Sequence, residues 1–513
     1  MTKTIQGFVR AAGTHLVNDA GPLLLKGWGI GNWLLPEGYM WLSAGNLRLD
    51  RPRRIQEVLQ ELTGTTFATH FWSEFQKNYF TLADVQYIKA QGYNSIRLPL
   101  HWELFLADEP GIHFQEAGFQ LLREVVAWCK ACDLYLILDL HGAPGGQTGA
   151  NIDDSVDDLP RLFLDQEQFA KGVALWTELA RRFAHEEVIA AYDLLNEPVK
   201  PGYDLQQEAF FVARLKEFYE KTITGIRQWD SQHLLSLEGH HWATNPEIFQ
   251  QRYDENYLIH FHRYATYPDE AAFQEFLALR EKWQVPLWLG ETGENLVPWF
   301  SAMTQLCEKY DVSYHFWPYK KLGKTNGSVT IPTPQHWEQL IAYTNGGPHP
   351  SYEVAQTTLT EFLTAMHWEN CQKNPEVDDA ILRNGPYTLQ ATDFIASSCY
   401  DQAVNTTFDF HKDEEVRLVE VQPPVEKRFS FDINWDRFGV ELTAGDTLTY
   451  RQPNYRPQKI SLFYEGGAGV FTCQGIQYAT SGKGVIHHVF QPDEELKIMQ
   501  LAGQQIFTQL DFL

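Results

Sequence analysis

Val188-Ile189-Ala190-Ala191-Tyr192-Asp193-Leu194-Leu195-Asn196-Glu197-Pro198 opens as an apolar run and stops on two polar side chains and a proline. Such a run reads as a strand buried on both faces. Proline cannot donate to a strand ladder, so the strand ends there. Asn196 and Glu197 therefore stand at the rim of something buried. A carboxyl group at such a rim is a candidate acid or base, and the next question is whether a second one occupies an equivalent place.

The same rhythm, a helix and then a short apolar strand with polar groups at its end, runs to either side. Strands are predicted to begin at Leu23, Asn94, Leu134, Val188, Leu234, Tyr257, Pro286 and Val312. Helical spacing separates them over Thr81–Gln91, Phe114–Ala131, Gln166–Phe183, Leu205–Gln228, Ala271–Trp283 and Phe300–Lys309, and Tyr352–Ala365 closes the series. This alternation predicts an α/β fold, a (β/α)8 TIM barrel over residues 1–370, rather than a doubly wound open sheet. An N-terminal hairpin precedes the first strand. A long insertion at 34–80, with one short helix at Arg54–Leu62, takes the barrel beyond its usual ~250 residues. Its aromatics, among them Trp41, Phe71, Trp72 and Phe75, argue against disorder. The alternating glycines of Gly27-Trp28-Gly29-Ile30-Gly31 lack the third glycine and immediate helix of a dinucleotide fingerprint. Residues 371–384 read as a linker. Beyond them, at 385–513, short β-type runs (Tyr387–Gln390, Thr406–Phe410, Val416–Val421, Phe429–Ile433, Thr447–Tyr450, Lys459–Phe463, Val485–Phe490) predict a β-sandwich accessory domain.

Composition narrows the partners. The 513 residues carry 41 basic against 66 acidic side chains, a formal charge of −25, which disfavours nucleic acid. Sixteen tryptophans add flat platforms suited to sugar rings. Cys129 and Cys132 form a C-x-x-C, but no second pair follows at zinc-site spacing, so all six cysteines read as incidental thiols. No stretch is apolar enough to span a membrane. The N-terminus shows no signal-peptide pattern, so the expected location is cytoplasmic, or outside the cell if a leader has been removed.

In a barrel of this kind the active site lies at the C-terminal ends of the strands. Those ends carry Trp33, Arg97, His141, Asn196, Glu197, Glu238, His262, Glu291 and Trp317. Glu238 fits a structural ion pair as well as it fits chemistry. Glu197 and Glu291, ending strands four and seven, are a pair of carboxylates facing across a barrel mouth, the equipment of glycoside hydrolysis. His260 and His262 share a strand face, but two ligands do not make a zinc site. No metal and no cofactor is expected. His240-His241-Trp242 either lines the site or packs in a loop.

Arg97, Leu140-His141-Gly142, Asn196-Glu197-Pro198, His262-Arg263-Tyr264, Gly290-Glu291 and Trp317 follow one another in an order that resembles glycoside hydrolase family 5, (β/α)8 barrels with a retaining mechanism. The resemblance implies Glu197 as general acid/base and Glu291 as nucleophile. It further implies that Asn196 holds the sugar 2-hydroxyl, that Tyr264 and Arg97 touch the nucleophile, and that His141 and His262 bond substrate or catalytic groups. Trp317 would floor the reacting subsite, and Trp33 would contact substrate. The loop His141-Gly-Ala-Pro-Gly-Gly-Gln-Thr-Gly149 resembles that of exo-β-1,3-glucanases and β-glucosidase-like members, which points to β-glucosides, β-gluco-oligosaccharides or β-glucan. A site blocked by the 34–80 insertion would favour short substrates or exo attack. Two rival readings are a transglycosylase of the same family and a non-catalytic carbohydrate-binding protein on the same scaffold. The C-terminal domain is expected to be a buttress rather than a sugar-binding module.

Overall fold

The strand that opens the sequence reading runs over Ile189–Asp193 and is buried at every residue. It is β4 of a closed eight-stranded barrel whose other members are β1 (Lys26–Gly29), β2 (Ser95–His101), β3 (Tyr135–Gly142), β5 (Leu234–Glu238), β6 (Tyr257–His262), β7 (Leu287–Gly293) and β8 (Ser313–Trp317). Neighbours pair in parallel, with helices between all successive strands except β5 and β6, so the fold is a TIM barrel. The computed structural model describes residues 3–492 and 494–513. They divide into two compact units. The first holds the chain up to His262 with Phe276–Thr292 and Ser313–Lys373; the second holds Arg263–Glu275, Gly293–Val312 and Asn374–Leu513.

Strand register sets which side chains become neighbours. Asp139 on β3 pairs with Asp193 on β4, Glu238 on β5 with His260 on β6, and His262 with Glu291 on β7. The last pairing follows a register shift between Leu289 and Glu291. Such a bulge re-aims a side chain at a barrel rim. Two glycines make room for the site. A Cβ on Gly290 would lie 1.7 Å from the His260 ring, and one on Gly29 would lie 2.4 Å from the Trp317 ring. The glycine-rich end of β1 is thus a packing requirement.

The 34–80 insertion holds two helices, Pro52–Thr63 and Thr65–Asn78, instead of one. The chain turns between them at Gly64, whose φ of 79° favours glycine. Trp41, Phe71 and Phe75 are buried and pack around Phe362 at ring separations of 5.3–6.3 Å. The N-terminal hairpin is a three-stranded sheet (Arg10–Ala12, His15–Asn18, Gly21–Leu23), because Gly21–Leu23 pairs back onto Leu16–Asn18. The first barrel strand therefore starts at Lys26, not Leu23. A small sheet (Lys320–Leu322, Val329–Ile331, Gln372–Lys373) and a helix at Trp337–Thr344 have no counterpart in the sequence reading.

The second unit contains two antiparallel sheets. Gln504–Phe512 pairs with Phe438–Thr443 and Ile460–Gly466 in a six-stranded sheet, and Lys497–Ala502 lies within a five-stranded one. Phe471 and Phe507, one from each sheet, meet at 5.0 Å, as in a sandwich core. Two expected strands are absent. At Thr406–Phe410 the Asn405 amide donates instead to the carbonyls of Phe408, Phe410 and His411, which folds the segment into a turn. At Phe429–Ile433 the Asp432 carboxylate accepts from the backbone N–H of Arg428 and of Asn434. Residues 371–384, expected as a linker, carry a short strand and the helix Pro375–Leu382, which Pro375 starts from its N-terminal turn. All six cysteines are thiols. Among the described residues no helix is long and apolar enough to cross a membrane.

Candidate active site

Arg97, fully buried on β2, is the hub of the barrel mouth. Its Nε donates to Asp193 Oδ2 at 3.0 Å and its Nη2 to Asn196 Oδ1 at 2.8 Å. Nη1 is hydrogen-bonded to Glu291. Asp139 at 3.0 Å and Glu238 at 3.4 Å complete the ring of carboxylates. One guanidinium cannot neutralise so many buried acids, so some must hold protons. Burial, with help from the Asp193 charge, pushes Glu238 up. Asp193 behaves oppositely: burial opposes its ionisation, but His260 and Arg97 bring it down to about 2.

Glu197 sits just past β4 with a φ of 45°, a left-handed conformation uncommon for a non-glycine residue. Its backbone N–H donates to Glu238 Oε2 at 2.6 Å, which anchors the turn. Burial raises its carboxyl well above the usual range, and Glu291 and then Glu37 push the same way. One oxygen of Glu197, one of Glu291 and a ring nitrogen of His262 all lie within 4.8 Å of one another.

The hydrogen-bond chain behind Glu197 has a definite polarity. His260 is held neutral, at about 4, chiefly by burial. Its Nδ1 lies 3.0 Å from the ionised Asp193, so Nδ1 carries the hydrogen and donates. His260 Nε2 must then accept, and the donor is His262 Nε2 at 3.0 Å. In a neutral His262 the Nδ1 is then an acceptor, 2.6 Å from Glu197 Oε1. The chain thus receives a hydrogen bond from protonated Glu197.

His141 is neutral too, lowered to about 4 mainly by burial. Its Nδ1 is 2.8 Å from Asp139 Oδ2 and its Nε2 is 3.4 Å from the Asn196 amide. The imidazole stacks on Trp317 at 5.1 Å and 11°. Gln147 donates to the carbonyls of both His141 and Asn196 at 2.8 Å, tying the rims of β3 and β4 together. The structure thus brings Arg97, His141, Asn196, Glu197, His262, Glu291 and Trp317 into one cluster, all within the first unit.

The two remaining expected site residues have these neighbours. Trp33 donates its Nε1 to Gln76 O at 2.8 Å and lines a cavity of about 260 Å³ with Trp72, His101 and Glu103. Tyr264 belongs to the second unit, where its ring packs 4.7 Å from Phe431. Four residues of the cluster were not foreseen: Asp139, Asp193, Glu37 and Tyr39. The first two stand inside apolar strands, and a carboxylate there demands a buried partner; that was the available signal. Glu37 and Tyr39 come from the insertion. Glu37 Oε1 lies 3.9 Å from His141 Nε2, and Tyr39 OH accepts from Trp317 Nε1 at 2.7 Å.

The chain matches the family model of "Cellulase (glycosyl hydrolase family 5)" over residues 56–323. It is 28% identical to a β-xylosidase of Phanerodontia chrysosporium over 275 residues, 53% of this chain and 55% of that protein. It is 24% identical to endoglucanase C of Acetivibrio thermocellus over 314 residues, covering 49% of this chain and 87% of the enzyme. A probable glucan 1,3-β-glucosidase A of Emericella nidulans is 30% identical over 210 residues, 40% of this chain and 48% of that protein. The chain therefore spans about half the length of two of these three relatives. A crystal structure of endogalactoceramidase aligns over 98% of this chain and 99% of its own, at 16% identity and a TM-score of 0.48.

Proposed function

Because the chain belongs to glycosyl hydrolase family 5, we propose that it cleaves β-glycosidic bonds with retention, Glu197 acting as acid/base and Glu291 as nucleophile. What carries the reading is the approach of the two carboxylates to within 4.8 Å. Retaining enzymes keep this separation at about 5–5.5 Å, whereas inverting ones leave about 6.5–9.5 Å for a water molecule. In the first step Glu197 gives its proton to the glycosidic oxygen while a Glu291 oxygen attacks the anomeric carbon, forming a glycosyl ester and releasing the aglycone. In the second, ionised Glu197 takes a proton from water. The water oxygen attacks the same carbon and Glu291 leaves. The raised proton affinity of Glu197 fits the first step, since both burial and the Glu291 charge favour its neutral form.

The remaining roles follow. Arg97 steadies Glu291 and, through its bond to Oδ1, turns the Asn196 amide group toward the sugar 2-hydroxyl. Trp317 supplies the floor. Glu37 and Tyr39 bring the insertion against His141 and Trp317, which supports a pocket closed on one side and short β-glucosides or glucan ends as substrates. The domain division at residues 371–384, and the C-terminal region as a buttress, stand as proposals of the same kind.

Proton NMR of p-nitrophenyl β-glucoside hydrolysis tests the stereochemistry. β-Glucose formed first is the expected product; α-glucose formed first would exclude the double displacement. A screen of aryl β-glycosides and β-glucans tests the substrate. Faster cleavage of long internal bonds than of short glucosides would count against the closed pocket. Glucosylated acceptors accumulating at high acceptor concentration would favour the transglycosylase.

A further inference from the structure

Outside the catalytic cluster, Glu208, His240 and His241 bring three ligating atoms within 4.8 Å of one another. Glu208 stands in the first turn of the helix Leu205–Arg227, started by an Asp204/Gln207 capping box. The two histidines follow β5 directly. Glu208 Oε1 lies 3.2 Å from His240 Nε2 and 3.3 Å from His241 Nε2. Both separations match the roughly 3.3 Å between neighbouring donors of a tetrahedral site with metal–ligand bonds of about 2.0–2.1 Å. Glu247 Oε2, 3.9 Å from His240 Nε2, stands within reach as a fourth ligand.

A plain hydrogen-bonded pair accounts for only part of this. His240 Nε2 has hydrogen-bond geometry toward Glu208, but His241 Nε2, although buried, has no hydrogen-bond partner while facing the same oxygen. An ion at the shared point would satisfy both nitrogens at once. The backbone is bent to present them: His241, Trp242 and Ala243 all have φ between 54° and 59°. Consecutive left-handed residues without glycine persist only where their surroundings hold them.

We propose that Glu208, His240 and His241 bind a divalent first-row transition metal ion, zinc before others. Two imidazoles and one carboxylate select such ions over magnesium or calcium, which take oxygen ligands. The ion would fasten the loop after β5 to the helix after β4. It would thereby brace the acid/base turn, because the His241 N–H donates to Val199 O at 2.7 Å, two residues from Glu197.

The test uses the full chain, stripped with chelator and titrated with Zn²⁺ at neutral pH by calorimetry, with metal content read by mass spectrometry. One equivalent should bind the wild type. Glu208→Gln and His241→Asn should each weaken binding by at least roughly tenfold, since even outer-shell changes cost 10–100-fold. His262→Asn should leave it unchanged. X-ray absorption on the loaded wild type should show two imidazole ligands, a readout independent of how the variants fold. No binding by the wild type, equal binding by the variants, loss in His262→Asn, or a spectrum without paired imidazoles would each overturn the assignment.

Discussion

Glu197→Gln separates the roles of the two carboxylates. The amide is close to isosteric with the acid, and its NH2 group can donate to His262 Nδ1 in place of the O–H that does so at 2.6 Å. The anchor from the backbone N–H to Glu238 Oε2 does not involve the side chain. The hydrogen-bond chain through His262 and His260 should therefore survive, and the melting temperature should hold or rise, because a buried carboxyl pressed against Glu291 has been removed. What is lost is the proton. General acid catalysis contributes about 10²–10⁴-fold, or roughly 2.7–5.4 kcal/mol of barrier at 1.36 kcal/mol per decade. That loss should fall on kcat/KM for alkyl β-glucosides, whose leaving oxygen needs protonation. It should spare 2,4-dinitrophenyl β-glucoside, whose leaving group departs as an anion. With the second substrate a burst of dinitrophenolate should precede slow turnover, since the missing base now limits attack by water. Burst and steady-state kinetics on both substrates provide the assay. An equal loss on both, or on neither, would refute the assignment of Glu197 as the acid.

Other expectations follow from the same geometry. Glu291→Gln removes a like charge that raises Glu197, so the ionised form becomes easier to make and the Glu197 pKa falls, which 13C NMR of labelled glutamate would record. Glu37→Gln should cut kcat/KM for short β-glucosides by about 10–100-fold if that carboxylate accepts a sugar hydroxyl, the worth of one charged hydrogen bond of ~1.5–3 kcal/mol, with little change in melting. In the loop before β5, Asp230 is pushed up by burial, but hydrogen bonding and charge from His233 more than reverse this and bring it to about 2. Its folded pKa lies below the ordinary ~3.8, so it adds about 2 kcal/mol above pH ~4, and the gain disappears as pH falls through about 2. The deficit of Asp230→Asn in thermal melts should therefore be full at pH 7 and shrink on acidification; a deficit independent of pH would contradict the linkage.

The barrel was legible because its strands are short apolar runs with polar ends, a pattern that local sequence carries. Glu197 and Glu291 were legible for the same reason: each terminates such a run. Glu37 and Tyr39 were not, since only the folded insertion brings them to His141 and Trp317, and no spacing rule spans that distance. Asp139 and Asp193 were hidden by the opposite effect. Their strands read as apolar overall, and the single acids inside them gain meaning from buried partners, Arg97 with His141 for Asp139 and Arg97 with His260 for Asp193. Glu238 was left between structure and chemistry; it is fully buried in the Arg97 network and it anchors the Glu197 turn. In the C-terminal region, Asn405 and Asp432 outcompeted the strand ladder through side-chain bonds to the backbone. The strands Phe438–Thr443 and Lys497–Ala502 pair with Gln504–Phe507 and with Thr447–Thr449, the second of these about fifty residues away, so no local turn signal marks them.

The most direct test of the two-carboxylate account is covalent trapping of the nucleophile. Incubation with 2,4-dinitrophenyl 2-deoxy-2-fluoro-β-glucoside should inactivate the enzyme with release of one equivalent of dinitrophenolate. Peptide mass spectrometry should then place a fluoroglucosyl ester on Glu291, and Glu291→Gln should take up no label. An ester on any other residue, or turnover through a non-covalent route with no adduct, would contradict it.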